Sequence, residues 1–294
     1  MNNCVRPRRS ALYMPCSNLR ALVKAQTLAA DVLLFDLEDA VALEAKSQAR
    51  TNIVQALQEH DYGYREKIVR INAVDTELGY ADLKALSSLL EQGVVLEGVC
   101  LPKVESAEQI NKALAVLGHR VPIWVMIETP LGVLNVAAIA AHEQVKVLVL
   151  GTNDLAKELR VQQSAERTEF SYAFGHCIMA ARAYGCDVLD GVYNQFDNEA
   201  GLQQVCIQGK GWGFDGKTLI HPSQLMMANQ IFMPSQHEIA EAQAIMSAWE
   251  AAKVGVEASG TAVVVLNGRI VEELHVQAAQ RLMLLVDAIH PEVL

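Results

Sequence analysis

The chain has 294 residues, of which 51% are apolar, and it carries a formal net charge of −10 at pH 7. That length and apolar content are enough to bury the core of one large domain. The negative charge excludes a protein that binds nucleic acid through a clustered basic face. No apolar run reaches the ~18 residues of a membrane span, so we expect no membrane contact either.

Short apolar runs of strand type alternate with helical patterns from the N-terminus to His221. In chain order the predicted strands are SALYM (10–14), DVLLFDL (31–37), KIVRIN (67–72), LEGVCLP (96–102), PIWVMIE (122–128), KVLVLG (146–151), CDVLDG (186–191) and GKTLIH (216–221). Amphipathic stretches such as LRALVKAQTLAA and AEQINKALAVLG lie between them. Strands that alternate with helices pair in parallel through crossovers, so these units predict a (β/α)8 TIM barrel. An open doubly wound sheet would usually carry a glycine-rich phosphate turn after its first strand, where this chain reads MPCSNLR.

The pattern changes after the eighth predicted strand. We predict a barrel domain over residues 1–224 and a C-terminal segment over residues 225–294. The segment reads as two helices separated at MPS (233–235), a hairpin-like element ASGTAVVVLNGRIVEEL with Asn267-Gly268 as its turn, and a last helix, HVQAAQRLMLLVDAIH. A barrel does not need this segment. We therefore predict that it is a helical lid extension, an oligomer contact, or both.

The first residues and the cysteines indicate a reducing compartment. The start, MNNCVRPRRS, has no apolar stretch behind its basic residues, so we expect no secretory signal. The cysteines form no CxxC pair, and several stand in apolar contexts, which is typical of buried free thiols. They are Cys4, Cys16, Cys100, Cys177, Cys186 and Cys206. We expect a cytoplasmic protein whose cysteines are structural.

Polar residues gather at the carboxyl ends of the predicted strands. Barrel enzymes carry their catalytic groups at this rim, so the accumulation is what an enzyme would show. The residues are Asp36, Glu38 and Asp39 after the second strand, Arg70 and Asn72 on the third, Lys103 and Glu105 after the fourth, Glu128 after the fifth, Asp154 after the sixth, Asp190 after the seventh and His221 after the eighth.

Two of these acids, Glu128 and Asp154, follow consecutive apolar strands. Neighbouring strand ends lie side by side in a barrel, so the two carboxylates are placed to share one hard cation. Acids just beyond buried strands are costly unless they are paired or bound to metal. The alternative is structural, because Asp154 before LAKEL also suits a helix N-cap. Lys103 is placed to pair with Glu105 or Glu128.

Other rim residues also have two interpretations. Arg70 stands inside an apolar strand and needs a buried anionic partner, which is either a protein acid or an oxygen of a substrate. The acids of the 36–39 block either serve function or cap a helix that begins near Val41. His221 precedes Pro222, a context more typical of a turn histidine than of a catalytic one.

Eight blocks of residues, in order along the chain, resemble a known family. The blocks are RSALYMP (9–15), LLFDLEDAV (33–41), VRIN (69–72), LPKVES (101–106), MIETPLGVLN (126–135), GTNDLAKEL (151–159), DGVY (190–193) and GFDGKTLIHPSQ (213–224). Together they resemble the citrate lyase β-subunit-like family, which includes malyl-CoA and citramalyl-CoA lyases. The resemblance implies a (β/α)8 barrel with a C-terminal lid, assembled as a homotrimer or a larger homo-oligomer. It also implies Mg²⁺-dependent cleavage or formation of the C–C bond of a β-hydroxyacyl-CoA thioester.

Carried over by position, the resemblance implies that Glu128 and Asp154 bind Mg²⁺, that Glu128 also contacts the substrate, and that Arg70 clamps it. Mg²⁺ takes only one or two protein carboxylates and keeps several waters, which leaves room for a chelating hydroxy- or keto-carboxylate. As a Lewis acid it would acidify the alcohol whose collapse breaks the C–C bond, and a guanidinium suits the enolate oxygen of the leaving thioester. The acids implied to hold metal-bound water are Asp36, Glu38 and Asp39.

The chain departs from the family pattern at two places. Cys16 stands where members usually carry a glycine, at the loop expected to approach the CoA. The lid of the lyases carries an aspartate in a segment resembling GxMID, which reaches a neighbouring subunit's site and handles a proton on the acetyl carbon. The matching segment here is GRIVE (268–272), so Glu272 replaces the aspartate, with Glu273 beside it. Glutamate can do the same acid–base work, but its extra methylene moves the carboxyl group.

The leading interpretation is a Mg²⁺-dependent lyase that cleaves a short-chain hydroxyacyl-CoA. The candidate substrates are (S)-citramalyl-CoA, which gives acetyl-CoA and pyruvate, and malyl-CoA, which gives acetyl-CoA and glyoxylate. One alternative is a citryl-thioester lyase β subunit that acts with an acyl-carrier partner. The other is a CoA-binding barrel that has lost turnover through its lid. The keto acid is set by pocket shape, since one methyl group is worth only ~1–3 kcal/mol.

Overall fold

The computed structural model of the chain describes residues 5–118, 121–256 and 264–290. The described chain divides into two compact units. The first runs from Arg8 to Phe232, and the second comprises the residues before Arg8 and after Phe232.

The first unit is a closed parallel barrel of eight strands in sequential order. The strands are β1 (Ser10–Pro15), β2 (Val32–Asp36), β3 (Glu66–Arg70), β4 (Gly98–Leu101), β5 (Ile123–Ile127), β6 (Val145–Leu150), β7 (Asp187–Asp190) and β8 (Gly216–Leu219). Strand β1 pairs in parallel with both β2 and β8, which closes the barrel. The prediction of a (β/α)8 TIM barrel is confirmed, and every strand falls within or next to a predicted run.

The strands are apolar on both faces because each face packs against something. All five residues of β5 are buried, as are all five of β2. Side chains of one face fill the barrel interior, while those of the other face pack against the surrounding helices. The interior cluster consists of Ala11, Val32, Leu34, Ile68, Cys100, Trp124, Met126, Val147, Val149 and Leu189.

Helices connect the strands and cover the outside of the barrel. They are α1 (Leu19–Lys24), α2 (Lys46–Glu59), α3 (Glu77–Glu91), α4 (Ala107–Leu117), α5 (Pro130–Leu134), α6 (Val136–Ala140), α7 (Thr152–Leu159), α8 (Ser171–Tyr184), α9 (Glu199–Trp212) and α10 (Leu225–Phe232). Helix α10 packs on α9, β1 and β8 and so belongs to the barrel unit. The functional division after residue 224 stays a prediction.

An arginine closes the amino end of the barrel. Arg8 donates through Nε and Nη2 to Glu66, at 2.7 and 2.8 Å, and through Nη1 to Asp187. Glu66 and Asp187 are the first residues of β3 and β7. The guanidinium also lies over the ring of Trp124, 5.3 Å from its centroid. Arg8 therefore links the amino ends of β3 and β7.

The described residues of the second unit form two helices and a hairpin. These are α11 (Gln236–Val256), β9 (Val264–Leu266), β10 (Arg269–Val271) and α12 (Glu273–Ala288). Asn267 and Gly268 both have positive φ, 50° and 78°, as a type I′ hairpin turn requires, so the predicted turn is confirmed. Residues 258–263, predicted as the start of the hairpin, lie outside the described residues, and so does residue 257. Ser235 and Glu238 exchange backbone-to-side-chain hydrogen bonds at the start of α11, which is a capping-box arrangement.

The cysteines behave as the sequence predicts. Five lie among the described residues, and all five are buried and free. They are Cys16, Cys100, Cys177, Cys186 and Cys206, while Cys4 lies outside the described residues. Burial raises the pKa of the Cys186 and Cys206 thiols to about 11, which keeps them protonated and unreactive.

Within the described ranges, no helix is both long and apolar enough to cross a membrane.

Candidate active site

A cavity of roughly 270 Å³ opens at the carboxyl ends of the strands. Tyr13 and Met126 contribute apolar surface to its wall, and Thr218 and Asn194 contribute polar atoms. The structure brings five of the seven predicted site residues to this cavity, namely Asp36, Asp39, Arg70, Glu128 and Asp154. The sixth, Glu38, contacts Arg70, and the seventh, Glu272, belongs to the second unit.

Glu128 follows β5 directly and is almost completely buried, with 2% exposure. Its Oε1 accepts a hydrogen bond of 2.8 Å from the backbone N–H of Lys103. Burial, together with the nearby carboxylate of Glu38, raises the pKa of Glu128 to about 7. A carboxyl group whose charge is so poorly compensated is a favourable place for a cation.

A glycine makes room for this side chain. A Cβ atom at Gly151 would lie 2.3 Å from Glu128 Oε2 and 2.4 Å from Glu128 Cβ, so no larger residue fits without moving Glu128. The φ of Gly151 is −96°, which other residues also adopt, so the requirement is one of space. Gly151 is a positioning residue that the sequence analysis missed. In the sequence, the only sign of this role is that Gly151 directly follows an apolar strand.

Asp154 is the third residue of α7, and its side chain is about one-third exposed. Gly151 occupies the N-cap position, and no side-chain cap bond is present. The alternative interpretation of Asp154 as an N-cap is therefore wrong, because the helix begins two residues before it. The carboxylate instead lines the cavity and lies 3.2 Å from the ammonium of Lys103.

Arg70 ends β3 and is 6% exposed. Its Nε and Nη2 donate to the two oxygens of Asp36, at 2.8 and 2.6 Å, in a bidentate pair. Nη1 lies 2.9 Å from Glu38 Oε2, and the guanidinium stacks 4.6 Å from the centroid of the Tyr13 ring. Of the two partners that the sequence left open, the structure supplies the protein acid. The role of Arg70 as a substrate clamp stays a prediction.

The 36–39 block does not cap a helix near Val41. Asp36 accepts the backbone N–H groups of Glu38 and Ala40, at 2.8 and 3.0 Å, and so folds the chain into a turn. A 3₁₀ turn follows at Leu43–Ala45, and α2 begins only at Lys46. The capping interpretation is wrong because Asp36 binds N–H groups of its own turn and the guanidinium of Arg70.

Lys103 makes different contacts from those that the sequence favoured. Its ammonium lies 2.6 Å from Glu38 Oε1 as well as near Asp154, instead of pairing with Glu105 or with the Glu128 carboxylate. Glu128 receives the backbone N–H of the same residue. The difference arises from the backbone of Lys103, whose φ of 51° lies in the left-handed region and which no local sequence pattern predicts.

The last two rim residues in chain order do not line the cavity. Asp190 is fully buried and forms ion pairs with Lys217 and Arg167, at 2.9 and 2.8 Å. His221 precedes a 3₁₀ turn, with Nδ1 2.8 Å from Ser223 Oγ, and stacks on Phe196. The prediction of a turn histidine is confirmed.

The donor set suits Mg²⁺. Within the described ranges, no group of three or more His, Cys, Asp or Glu residues is placed to hold a metal ion. Two carboxylates that line one cavity, Glu128 and Asp154, are what Mg²⁺ takes when it keeps its waters. Glu38 Oε2 is buried and, beyond its ion pair with Arg70, accepts no hydrogen bond, so it offers an acceptor to such a water.

The charges around the cavity also favour a bound dication. Among the described residues, five carboxylates line or adjoin the cavity, and two cations form ion pairs with them. The carboxylates are those of Asp36, Glu38, Asp39, Glu128 and Asp154, and the cations are Arg70 and Lys103. A dication would compensate most of the excess.

Glu272 lies in the second unit, at the N-cap of α12, and is exposed. Its backbone N–H donates to His275 Nδ1 at 3.0 Å, and Glu273 is the first residue of the helix. Both are acids at a helix start, which the helix dipole favours in any case. The role of Glu272 in proton transfer stays a prediction.

Known proteins match almost the whole chain. A protein named (3S)-malyl-CoA thioesterase from Cereibacter sphaeroides is 46% identical over 283 residues, which cover 96% of this chain and 96% of the relative. The citrate lyase subunit beta of Escherichia coli (strain K12) is 37% identical over 278 residues, which cover 91% of this chain and 89% of that subunit.

Solved structures share the fold. Protein CitE from Mycobacterium tuberculosis in complex with magnesium, acetoacetate and coenzyme A matches with a TM-score of 0.72 and 27% identity, covering 93% of this chain and 96% of that one. The citrate lyase beta subunit from M. tuberculosis complexed with oxaloacetate and magnesium has a TM-score of 0.67 and 31% identity, covering 80% of this chain and 100% of that one. A family model described as HpcH/HpaI aldolase/citrate lyase matches residues 9–222, a span that includes all eight strands and the cavity. The chain therefore belongs to the HpcH/HpaI aldolase/citrate lyase family.

Proposed function

We propose that the chain is a Mg²⁺-dependent acyl-CoA lyase that cleaves the C–C bond of a short-chain β-hydroxyacyl-CoA. Malyl-CoA is the first candidate substrate, with acetyl-CoA and glyoxylate as products, and citramalyl-CoA is the second, with acetyl-CoA and pyruvate. The observation that carries the proposal is the joint placement of Glu128, Asp154 and Arg70 in one cavity. It combines two carboxylates available to a cation with a buried, oriented guanidinium.

The roles of Glu128, Asp154, Arg70 and Glu38 are proposed from their contacts, and that of Glu272 from the family resemblance alone. Glu128 and Asp154 would hold Mg²⁺, which supplies Lewis acidity that makes the substrate's β-hydroxyl easier to deprotonate. Arg70 lines the cavity with its orientation fixed by the bidentate pair with Asp36, so it can donate to the thioester oxygen without reorganising. Glu38 would accept a hydrogen bond from a water on the ion. Glu272 would give the acetyl carbon the proton that it takes up when the C–C bond is cleaved.

The size of the cavity and the relatives support a small acyl group as the reacting part. Ligand pockets span about 300–1,000 Å³, so roughly 270 Å³ suits an acyl head while the rest of the CoA lies outside. A relative is named for malyl-CoA, and a structural neighbour was solved with magnesium and coenzyme A. We propose that the assembled enzyme is a cytoplasmic homo-oligomer, with a trimer as the first candidate.

A second candidate is hydrolysis of the thioester of malyl-CoA to malate and free CoA. The relative that is 46% identical is named a thioesterase, which favours it. No Ser, Cys or His is among the described residues that line the cavity. Without a Ser or Cys to form an acyl-enzyme there, hydrolysis would proceed by direct attack of water on the thioester carbonyl. The same carboxylates would position the substrate in both reactions.

A product assay separates the candidates. Purified protein is incubated with malyl-CoA, citramalyl-CoA or citryl-CoA, with Mg²⁺ or with EDTA, and products are measured by liquid chromatography and by a thiol reagent. Acetyl-CoA with one equivalent of 2-oxo acid and no free thiol would support the lyase. Malate with one equivalent of free thiol would show the hydrolase. Full activity in EDTA would refute the metal dependence of either.

The remaining alternatives have their own signatures. A citryl-thioester lyase β subunit would turn over only with an acyl-carrier partner and would co-purify with it. A CoA-binding barrel without turnover would bind the esters, as measured by calorimetry, and leave them intact. Glu158→Gln is the matched active control for variants at the cavity, because Glu158 is an exposed acid on the same helix as Asp154.

A further inference from the structure

Lys103 contacts three acids, two that line the cavity and one beside it. The Lys103 ammonium lies 2.6 Å from Glu38 Oε1 and 3.2 Å from Asp154 Oδ2. The backbone N–H of the same residue donates to Glu128 Oε1 at 2.8 Å. Both carboxylates that are proposed to hold Mg²⁺ are therefore held by Lys103 here.

The backbone of Lys103 is arranged for this double contact at a cost. Its φ of 51° lies in the left-handed region, which is disfavoured for a residue with a side chain. Lys103 directly follows Pro102, just beyond the end of β4. Non-glycine residues keep such a conformation where the surrounding contacts enforce it, and these positions cluster at functional sites.

We propose that the Lys103 ammonium is the resident counter-ion of the metal site: it holds Asp154 when no divalent cation is bound, and it leaves Asp154 when one binds. The inference rests on the proposed function, which assigns Asp154 and Glu128 to Mg²⁺. It adds a residue that sets the affinity for the ion without binding it.

Charge and exposure support this exchange. The ammonium and a metal ion would compete for the same oxygen, Asp154 Oδ2, and two cations at such short range repel each other strongly. The Lys103 side chain is 40% exposed, so it has an open path towards solvent. Glu38 is its second partner and remains available after Asp154 is released, so the displaced ammonium keeps one ion pair. The backbone N–H to Glu128 needs no movement of the side chain.

The test compares Mg²⁺ binding by wild type and by Lys103→Met, measured by calorimetry on protein freed of metal with EDTA and without substrate. Methionine keeps the unbranched shape of the side chain, is one atom shorter, and removes the charge. We expect Lys103→Met to bind Mg²⁺ more tightly, on the order of tenfold. In EDTA the melting temperature of Lys103→Met should be lower than that of wild type. Saturating Mg²⁺ should reduce this difference in melting temperature.

Two further variants make the result specific. Lys112→Met removes the same charge from an exposed ion pair with Asp75, so it controls for net charge and should leave Mg²⁺ affinity unchanged. Lys103→Gln is neutral and can still donate to Glu38, so it serves if Lys103→Met does not fold, and it should tighten binding too. Equal or weaker Mg²⁺ affinity in the folded Lys103 variants, with binding by wild type, would overturn the counter-ion role alone. Absence of Mg²⁺ binding in wild type and variants alike would overturn the metal site of the proposed function as well.

Discussion

At the scale of single residues, two almost completely buried acids differ in the positive charge that the protein places beside them. Asp36 is fully buried and binds the guanidinium of Arg70 through both oxygens. Glu128 is 2% exposed and receives a single backbone N–H, from Lys103, and its pKa rises to about 7. The first acid has its compensating charge within the protein. The charge of Glu128 is not compensated in this way, which is the physical basis for placing the metal beside Glu128.

Neutral isosteres at the two acids should remove the metal and the activity. We expect Glu128→Gln and Asp154→Asn each to abolish Mg²⁺-dependent turnover while circular dichroism shows an intact fold, because charge is lost with little change of volume. Steady-state assays and calorimetric Mg²⁺ titrations check this. Glu158→Gln should behave as wild type. Near wild-type activity with unchanged Mg²⁺ dependence in either variant would contradict the assignment of that residue.

Replacing Arg70 by lysine should not be conservative. A planar guanidinium holds both oxygens of Asp36 while facing the cavity, whereas an ammonium is a point charge. We expect Arg70→Lys to lower kcat by on the order of 10²–10³, the range for one oxyanion donor. Arg182→Lys, at a more exposed bidentate pair with Asp215, is the matched control and should change kcat little. A loss smaller than about fivefold would return Arg70 to a purely structural role.

At the scale of elements, the sequence predicted the strands well and their side-chain partners poorly. Runs such as IWVMI are buried on both faces, and this continuous apolar character marks a barrel strand without knowledge of its neighbours. The partner of Lys103 is Glu38, 65 residues away, and its left-handed backbone has no local signature. The capping alternative for the 36–39 block failed for a similar reason, since the competing partner of Asp36, Arg70, is on another strand.

The junction of β6 and α7 gives a prediction of its own. Gly151→Ala places a methyl group where Glu128 Cβ and Oε2 now lie, so Glu128 must move. We expect Mg²⁺ affinity to fall by roughly tenfold or more, since a displacement near 1 Å is enough to spoil a site. Gly211→Ala, in α9 with open space around it, should keep full affinity and melt at the same or a slightly higher temperature. Unchanged Mg²⁺ binding in Gly151→Ala would show that the cavity tolerates a moved Glu128.

At the scale of the whole molecule, the role of the C-terminal segment is the boldest prediction. If Glu272 completes the site of a neighbouring subunit, Glu272→Gln should lose C–C cleavage while still binding the CoA ester and Mg²⁺. Mixing it with Arg70→Lys in hybrid oligomers should then restore activity, because some sites would draw an intact Arg70 and an intact Glu272 from different chains.

The measurement is activity against mixing ratio, with hybrid formation verified by native mass spectrometry. Full activity of Glu272→Gln alone would discard the relay, and Glu273→Gln is the comparison if the alignment is off by one residue. Loss without recovery in verified hybrids would mean that each chain supplies Glu272 to its own barrel.

The closure of the barrel has a consequence for how the chain is made. Strand β1 pairs with β8, where Ser10 meets Lys217, and Arg8 is anchored to Glu66 and Asp187. During synthesis on the ribosome the first strand emerges early, but its second neighbour emerges only after more than two hundred further residues. Until then a nascent barrel has an apolar strand with one open edge, which is a template for wrong pairing. Conditions that slow translation or withhold chaperones should therefore lower the yield of folded protein. The protein that does fold should keep its stability.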